Sequence, residues 1–381
     1  MTNIPYTKQT ILEDDKQALL DSLESNWITR GPTVQAFEKA ISDYCRVPYA
    51  VAFNSGSVAL EAACYAGELN AQDHLFSSPN TFVGTLAGAI KKCKNLHFLD
   101  LDLKTGSPNF KNLQEFKGTS RLCLIPVHFS GIANKIKKPF ENTLIIEDAC
   151  QAFGACYPSG ERVGSCPTSD MTVFSFHPAK TICMGEGGLV TTKDEEYYKR
   201  LLLFRNNGII KKKEHAPWYY EVVDLTNNYN VTDLSASLGL SQLKKVDLFL
   251  EHRRKLVQRY REHLGELKHL SLFSEEYDAN SSHNLLVTQI DFETYGTSRK
   301  EIVLKLREKG IGTQVHFIPL YKHPYFKTHF SFSEEAFPSS ERYYERALSL
   351  PLFSHLTFEE VDQVCTSLSQ CLNSKSICSY L

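Results

Sequence analysis

Phe174-Ser175-Phe176-His177-Pro178-Ala179-Lys180 runs on into Thr181-Ile182-Cys183-Met184-Gly185-Glu186-Gly187-Gly188, and the reading of this stretch decides the fold. An apolar run alternates with period two, a proline turns the backbone, and a lone lysine follows. A glycine-rich loop then leads into a second strand pattern, Leu189-Val190-Thr191-Thr192. A lysine on such a turn stands at the edge of a sheet and faces whatever lies above it. Taken alone it reads more readily as a surface charge, so its chemistry depends on what the other strands bring beside it.

Working outward, Tyr49-Ala50-Val51-Ala52-Phe53 has the pattern of a short buried strand. It stops at Asn54-Ser55-Gly56-Ser57, and a helix is expected over residues 58–65. A strand entering a Ser/Gly turn before a helix offers unpaired N–H groups, the positive end of the helix dipole and hydroxyl donors to an anion. An ordinary N-capped helix has the same pattern. No lysine follows the glycine, so this is not a Walker loop. Further strands are expected at residues 74–76, 96–99, 121–127 and 143–146, with a helix over 82–91. Short apolar strands alternating with helices predict an α/β fold: a mostly parallel mixed sheet between two helical layers. Ligands of such sheets collect at the carboxyl ends of the strands. That rule gathers Ser55-Gly56-Ser57, Asn80-Thr81-Phe82, His128, Glu147-Asp148, Ser175 and Lys180 into one site. At the end of the Leu144-Ile145-Ile146 strand, the Asp148 carboxylate has four readings: metal ligand, acceptor from a histidine, partner of a protonated ring nitrogen, or helix cap.

The remaining chain divides in two. Residues 14–25 and 34–45 show helical spacing. The loop Asn26-Trp27-Ile28-Thr29-Arg30-Gly31-Pro32 between them is either a plain connection or a ligand contact. An irregular polar stretch from about 208 to 231 holds Trp218, Tyr219 and Tyr220, a loop length usually tied to function or a partner. One long helix is expected from Thr232-Asp233 to about residue 267. The boundary is placed inside it, giving a large domain over 1–250 and a smaller C-terminal α+β domain over 251–381. In the latter, strands are expected at 285–290 and 312–317 and helices at 298–309, 334–347 and 358–372. Gln314 and His316 would share a strand face, which is a solvated one unless a cleft lies beside it.

Composition excludes several classes. A chain of 381 residues with 42% hydrophobic and 23% charged residues can bury more than one core. The formal net charge of −2 carries no footprint for nucleic acid or an anionic membrane. The 11 cysteines are scattered, with no CxxC pair and no histidines completing a zinc set, so free thiols in a reducing cytoplasm are expected. No apolar signal core opens the chain and no run long enough to span a bilayer occurs. The final Cys378-Ser379-Tyr380-Leu381 fits a prenylation box, but no polybasic stretch precedes it and chance is the better reading.

The strand-end residues match the needs of pyridoxal 5'-phosphate (PLP). Its aldehyde needs a lysine amine, which Lys180 offers and burial would make more available. Its ring nitrogen needs a carboxylate to stay protonated, as Asp148 could provide. Phe82 can stack on the ring. Ser55, Gly56, Ser57 and Ser175 can hold the phosphate.

The chain resembles the fold-type-I, PLP-dependent sugar aminotransferases of the DegT/DnrJ/StrS type. The matching stretches are residues 26–32, Asn54-Ser55-Gly56-Ser57-Val58-Ala59-Leu60, Asn80-Thr81-Phe82-Val83, Glu147-Asp148-Ala149-Cys150-Gln151-Ala152-Phe153-Gly154 and the opening lysine block. The resemblance implies that Lys180 bonds the cofactor and shuttles protons, with Asp148 at the ring nitrogen and Gln151 at the ring hydroxyl. It also implies a homodimer in which Asn228 reaches the other subunit's site. There the chain departs from the family pattern: Thr226, Asn227 and Asn230 stand where a glycine, an aromatic residue and an arginine are usual. Gly312-Thr313-Gln314-Val315-His316-Phe317-Ile318-Pro319, His323-Pro324-Tyr325 and Ala347-Leu348-Ser349-Leu350-Pro351-Leu352 resemble the branch serving pseudaminic acid biosynthesis. That branch aminates a UDP-4-keto-6-deoxy-N-acetylhexosamine with L-glutamate as donor. Tyr6, Trp27, Ile28, Thr29, Gln314, Val315, His316 and Phe317 are the expected substrate contacts, and His177 a further catalytic candidate. Rival readings are a perosamine-type aminotransferase and a PLP-binding regulator without turnover. A sugar dehydratase of the same family carries histidine in place of the lysine, so Lys180 argues against one.

Overall fold

The computed structural model describes residues 3–373 apart from 111–112, 114–115, 117–119 and 213; the Cys378 tetrapeptide lies outside the described residues. A seven-stranded sheet forms the centre, in the order β1 (Tyr49–Phe53), β7 (Gly188–Thr192), β6 (Met171–Ser175), β5 (Thr143–Asp148), β4 (Leu122–Ile125), β2 (His74–Ser77), β3 (Leu96–Phe98). Only β7 runs against its neighbours: it pairs antiparallel with β1 and β6, while β2 to β6 pair in parallel. The inner strands are buried at every position, which is why their sequences are continuous apolar runs.

One apolar cluster packs α3 (Gly56–Ala66), α4 (Gly84–Lys92) and α5 (Glu195–Arg205) on one side of the sheet. A second, with α2 (Pro32–Cys45), fills the other. After a short hairpin, β8 (Ile209–Ile210) and β9 (Glu221–Val222), a third cluster joins residues 256–372 and Ile4 around a three-stranded antiparallel sheet, β10 (Leu270–Leu272), β11 (Leu286–Ile290) and β12 (Ala347–Leu350). The clusters change over within one helix, α7 (Val246–Leu264): Leu250 belongs to the second and Leu256 to the third. Leu320, Tyr321, Phe326 and Phe337 of the C-terminal half nevertheless pack into the first cluster.

Three expected elements differ. The helix expected to run unbroken to residue 267 is two, α6 (Asp233–Leu243) and α7, parted at Lys244 and Lys245. The Lys245 ammonium is held by Asp14 and, at 2.7 Å, by Asp15, both in α1 (Glu13–Glu24). Residues 312–317 form no strand; they make one bridge, Gln314 to Ser349. Side chains satisfy the backbone there instead: Phe317 N–H donates to Asn80 Oδ1 at 2.8 Å, and the Tyr343 hydroxyl donates to His316 O at 2.7 Å. The helix expected over 334–347 is confined to α10 (Pro338–Arg346), and the residues after it become β12.

Candidate active site

A cavity of about 1100 Å³ opens over the carboxyl ends of β5 and β6. Asp148, the last residue of β5, forms part of its floor and is 5% exposed. Thr85 Oγ1 donates to Asp148 Oδ2 at 2.6 Å and Cys150 N–H donates to Oδ1 at 3.0 Å. Two donors hold the carboxylate in one orientation. Lys180 follows β6 on a turn closed by its own N–H to His177 O, at 2.9 Å. Burial of its amine lowers its pKa below the ordinary lysine range, against the opposing pull of Cys150 and Asp148. The result is an amine closer to its nucleophilic neutral form.

The anion cradle lies opposite. Ser55 caps α3 by accepting from Val58 N–H at 3.3 Å, and Ser55, Gly56 and Ser57 line the cavity at the helix N-terminus, where the first-turn N–H groups are unpaired. Ser175 Oγ accepts weakly from His177 N–H at 3.4 Å, which leaves its hydroxyl proton free to donate. Close backbone approach explains two glycines here. A Cβ on Gly56 would stand 2.8 Å from Ser175 Cβ, and one on Gly188 would stand 2.2 Å from Ser55 O. Phe82 forms a wall with 59% of its surface exposed. Gln151 Oε1 accepts from Ser130 N–H at 2.7 Å, which leaves Nε2 as the donor. His177 Nδ1 accepts from Ala179 N–H at 3.1 Å, so its proton sits on Nε2.

The far wall comes from the C-terminal half. Gln314, Val315, His316 and Phe317 all line the cavity, with Tyr6 of the N-terminal arm against His316 at 5.8 Å between ring centres. His316 Nδ1 pairs with Ser349 Oγ at 2.8 Å. Burial, then the charge of Lys180, pushes its pKa down to about 4, so the ring is neutral near pH 7.

Not every expected residue reaches the cavity. Trp27 and Ile28 are more than half exposed on the surface, and Thr29 is bridged to Thr232. Asn228 is bridged to Asn206, and its Oδ1 accepts from the side chain of Asn230 at 2.8 Å. All four stand outside this chain's own cavity. His128 and Glu147, expected among the strand-end groups, are turned away from it: strand alternation sends Glu147 to the face opposite Asp148, and His128 follows it. Thr85, Cys150, Glu186, Asn284, His323 and Tyr325 line the cavity without having been singled out as site residues. Thr85 had a signal, since it lies one helical turn after Thr81 and bonds to it at 2.6 Å. Asn284 had none, because only folding brings it beside Ser130, whose carbonyl accepts from its N–H at 3.0 Å.

A desolvated lysine, a clamped carboxylate, a helix-end cradle that a side chain on Gly56 would fill, and an exposed flat ring fit PLP at each of its reactive or binding points.

The comparisons with known proteins agree. Residues 9–369 match the model of the DegT/DnrJ/EryC1/StrS aminotransferase family. The spore coat polysaccharide biosynthesis protein SpsC of Bacillus subtilis is 33% identical over 372 residues, covering 95% of each chain. Among solved structures, Spr1654 of Streptococcus pneumoniae in its PMP form superposes with a TM-score of 0.87 at 26% identity, covering 97% of this chain and 99% of that one. Helicobacter pylori PseC, described as an aminotransferase in the biosynthesis of pseudaminic acid, shares the fold with a TM-score of 0.88 at 24% identity, over 98% and 100% of the two chains. The chain is therefore a fold-type-I PLP enzyme. It belongs to the DegT/DnrJ/EryC1/StrS family and is a PLP-dependent sugar aminotransferase.

Proposed function

We propose that this enzyme moves the amino group of L-glutamate to C4 of a UDP-4-keto-6-deoxy-N-acetylhexosamine, in the cytoplasm, as a step toward pseudaminic acid. One observation carries the reading. The three C-terminal stretches whose sequences resemble that branch of the family, two of them adjacent and the third about twenty residues on, meet at one wall of the cavity. Residues 314–317 and 323–325 line it, and Ser349 holds His316 in place.

PLP bound in the cavity supplies an aldehyde that takes up amines and a ring that withdraws electrons. The chain's residues do the rest. With PLP bound, Lys180 Nζ would hold its aldehyde; as a free amine it would take the proton from glutamate Cα in the first half-reaction and deliver a proton to C4 of the sugar in the second. Asp148 would hold the proton on the ring nitrogen, Gln151 Nε2 would donate to the ring hydroxyl, and Phe82 would stack on the ring. Ser55, Gly56, Ser57 and Ser175 would bind the phosphate. Neutral His316 and His177 Nε2 face the sugar side as hydrogen-bonding groups.

Among its described lining residues the cavity has no arginine, and Lys180 is its lone lysine. A nucleotide diphosphate needs more cationic or amide donors than that. A second copy of this chain supplies them in the proposed homodimer, where Asn228 and the Trp27-Ile28-Thr29 loop reach the partner's cavity. Their position outside their own cavity supports this arrangement.

The test is conversion of the UDP-4-keto sugar by the PLP-loaded protein with glutamate, read by product mass and equimolar 2-oxoglutarate. Preference for a GDP-linked keto sugar would assign a perosamine-type enzyme instead. Bound PLP without turnover on either would favour a regulator.

A further inference from the structure

Directly behind the cofactor floor lies a buried polar cluster that the transamination steps do not use. Its centre is Glu147, fully buried on β5, one residue before Asp148 and facing the opposite side of the sheet. The Tyr157 hydroxyl donates to Glu147 Oε2 at 2.7 Å, and Thr172 Oγ1 of β6 donates to the same oxygen at 2.6 Å. The other oxygen, Oε1, faces Nε2 of fully buried His128 at 3.6 Å, and neither atom has another hydrogen-bond partner. The tautomer follows from the other side of the ring. His128 Nδ1 accepts from Asn134 N–H at 3.3 Å, so the ring proton is on Nε2 and points at Glu147. Burial alone would push the Glu147 carboxyl up. His128, Thr172 and Tyr157 together outweigh it and hold the group below the ordinary carboxylate range.

Tyr157 and two thiols on its own side of the sheet are held in their neutral forms. Tyr157 is pushed up by burial and then by Glu147 itself. Burial likewise raises the thiols of Cys166, which packs on Thr172, and Cys45. Across the sheet stand Asp148, Cys150 and Lys180. The cluster thus sets a buried carboxylate against one imidazole, with no lysine or arginine among the groups around it, in a place where a charge is costly to bury.

The backbone shows what it is tied to. His128 N–H donates to Asp148 O at 3.0 Å, and Asp148 N–H donates to Pro126 O at 2.8 Å. Two residues on, Ser130 N–H holds the Gln151 side chain. His128 is therefore fastened to β5 through its backbone beside Asp148, with its ring facing Glu147. We propose that Glu147 and His128 are positioning residues for the cofactor: an anionic pair behind β5 that fixes the end carrying Asp148 and Gln151 and adds negative potential under the ring and Lys180.

The experiment uses the full-length protein stripped of PLP and reloaded. Glu147→Gln keeps the shape and removes the charge. It is expected to weaken PLP about tenfold and to lower the pH midpoint of the bound cofactor's visible absorbance band by about half a unit, because a nearby anion stabilises protonated nitrogen. His128→Gln, which can keep an Nε-type donor, is expected to retain the wild-type midpoint. Glu147→Gln with unchanged PLP affinity and midpoint, whatever its melting temperature, would assign the cluster to stability alone and overturn the proposal. Should Glu147→Gln not fold, Thr172→Val removes one donor and leaves the charge. The carboxyl then takes up its proton at higher pH, so PLP binding should weaken on the acid side and match wild type above neutrality. Binding equal to wild type across the whole range would overturn the proposal equally.

Discussion

Lys180 draws its reactivity from its surroundings, since an exposed lysine amine is almost wholly protonated at neutral pH. Burial of the amine shifts it toward the neutral form, with Cys150 and Asp148 opposing. Lys180→Ala is expected to lose all borohydride-trappable PLP, seen by mass spectrometry of the reduced protein, and to lower kcat by about 10³-fold or more. The folded-state His316 pKa near 4 sets an acid limit on stability. The unfolded value is about 6.5, so between those two pH values the unfolded chain binds the extra proton. Stability therefore falls as pH drops from about 6.5 toward 4, by at most about 3 kcal/mol for this group. Buried His283, also lowered to about 4, acts in the same window and with the same sign. Denaturant midpoints measured between pH 7 and 4 should show His316→Gln with a shallower decline than wild type, and the double variant with His283→Gln shallower again.

At the scale of elements, the cradle depends on α3, β6 and β7 meeting closely. Ser55→Ala removes the helix cap and a phosphate donor together. It should cost about 1 kcal/mol by chemical denaturation and also raise the Kd for PLP. Gly188→Ala acts differently. Its Cβ would fall 2.2 Å from the Ser55 carbonyl, so the β1–β7 pairing must open. Loss of PLP binding beyond that of Ser55→Ala is the expected outcome, read by equilibrium titration. The segment 314–317 shows why periodicity misled there: alternation was genuine, but the partners of its backbone are Asn80 and Tyr343 rather than a ladder. The break between α6 and α7 was hidden for a similar reason, because Lys244-Lys245 is compatible with helix and α1 supplies the acids that hold the bend.

At the scale of the molecule, Arg253 is 1% exposed in α7 and spans the change between the apolar clusters. It donates to the carbonyls of His283 and Leu352 and to Ser354 Oγ, tying the long helix to both halves of the C-terminal region. Arg253→Ala would leave those buried acceptors unpaired and is expected to lower stability by about 3 kcal/mol. Trp218 and Leu225 are 81% and 90% exposed. Large apolar groups this exposed suit a surface between copies in the proposed dimer. Trp218→Asp with Leu225→Asp should shift sedimentation toward a monomer and lower kcat, as Asn228 is withdrawn from the partner's site.

The sequence by itself determined the α/β class and the cofactor chemistry. Both are written locally: apolar strands of regular length, a Ser-Gly turn before a helix, an aspartate ending one strand and a lysine after another. Backbone geometry then carries each of these to the same sheet edge. The tertiary structure alone decided which neighbours turn inward. Asp148 and Glu147 are adjacent and chemically alike, yet strand alternation sends one to the cavity and the other to His128. It also decided the far wall of the cavity, since residues 314–317 and Asn284 line it together although about thirty residues part them in the chain. Contacts that distant in sequence leave no local period to read, because the chain encodes them through packing of the whole rather than through the spacing of any one stretch.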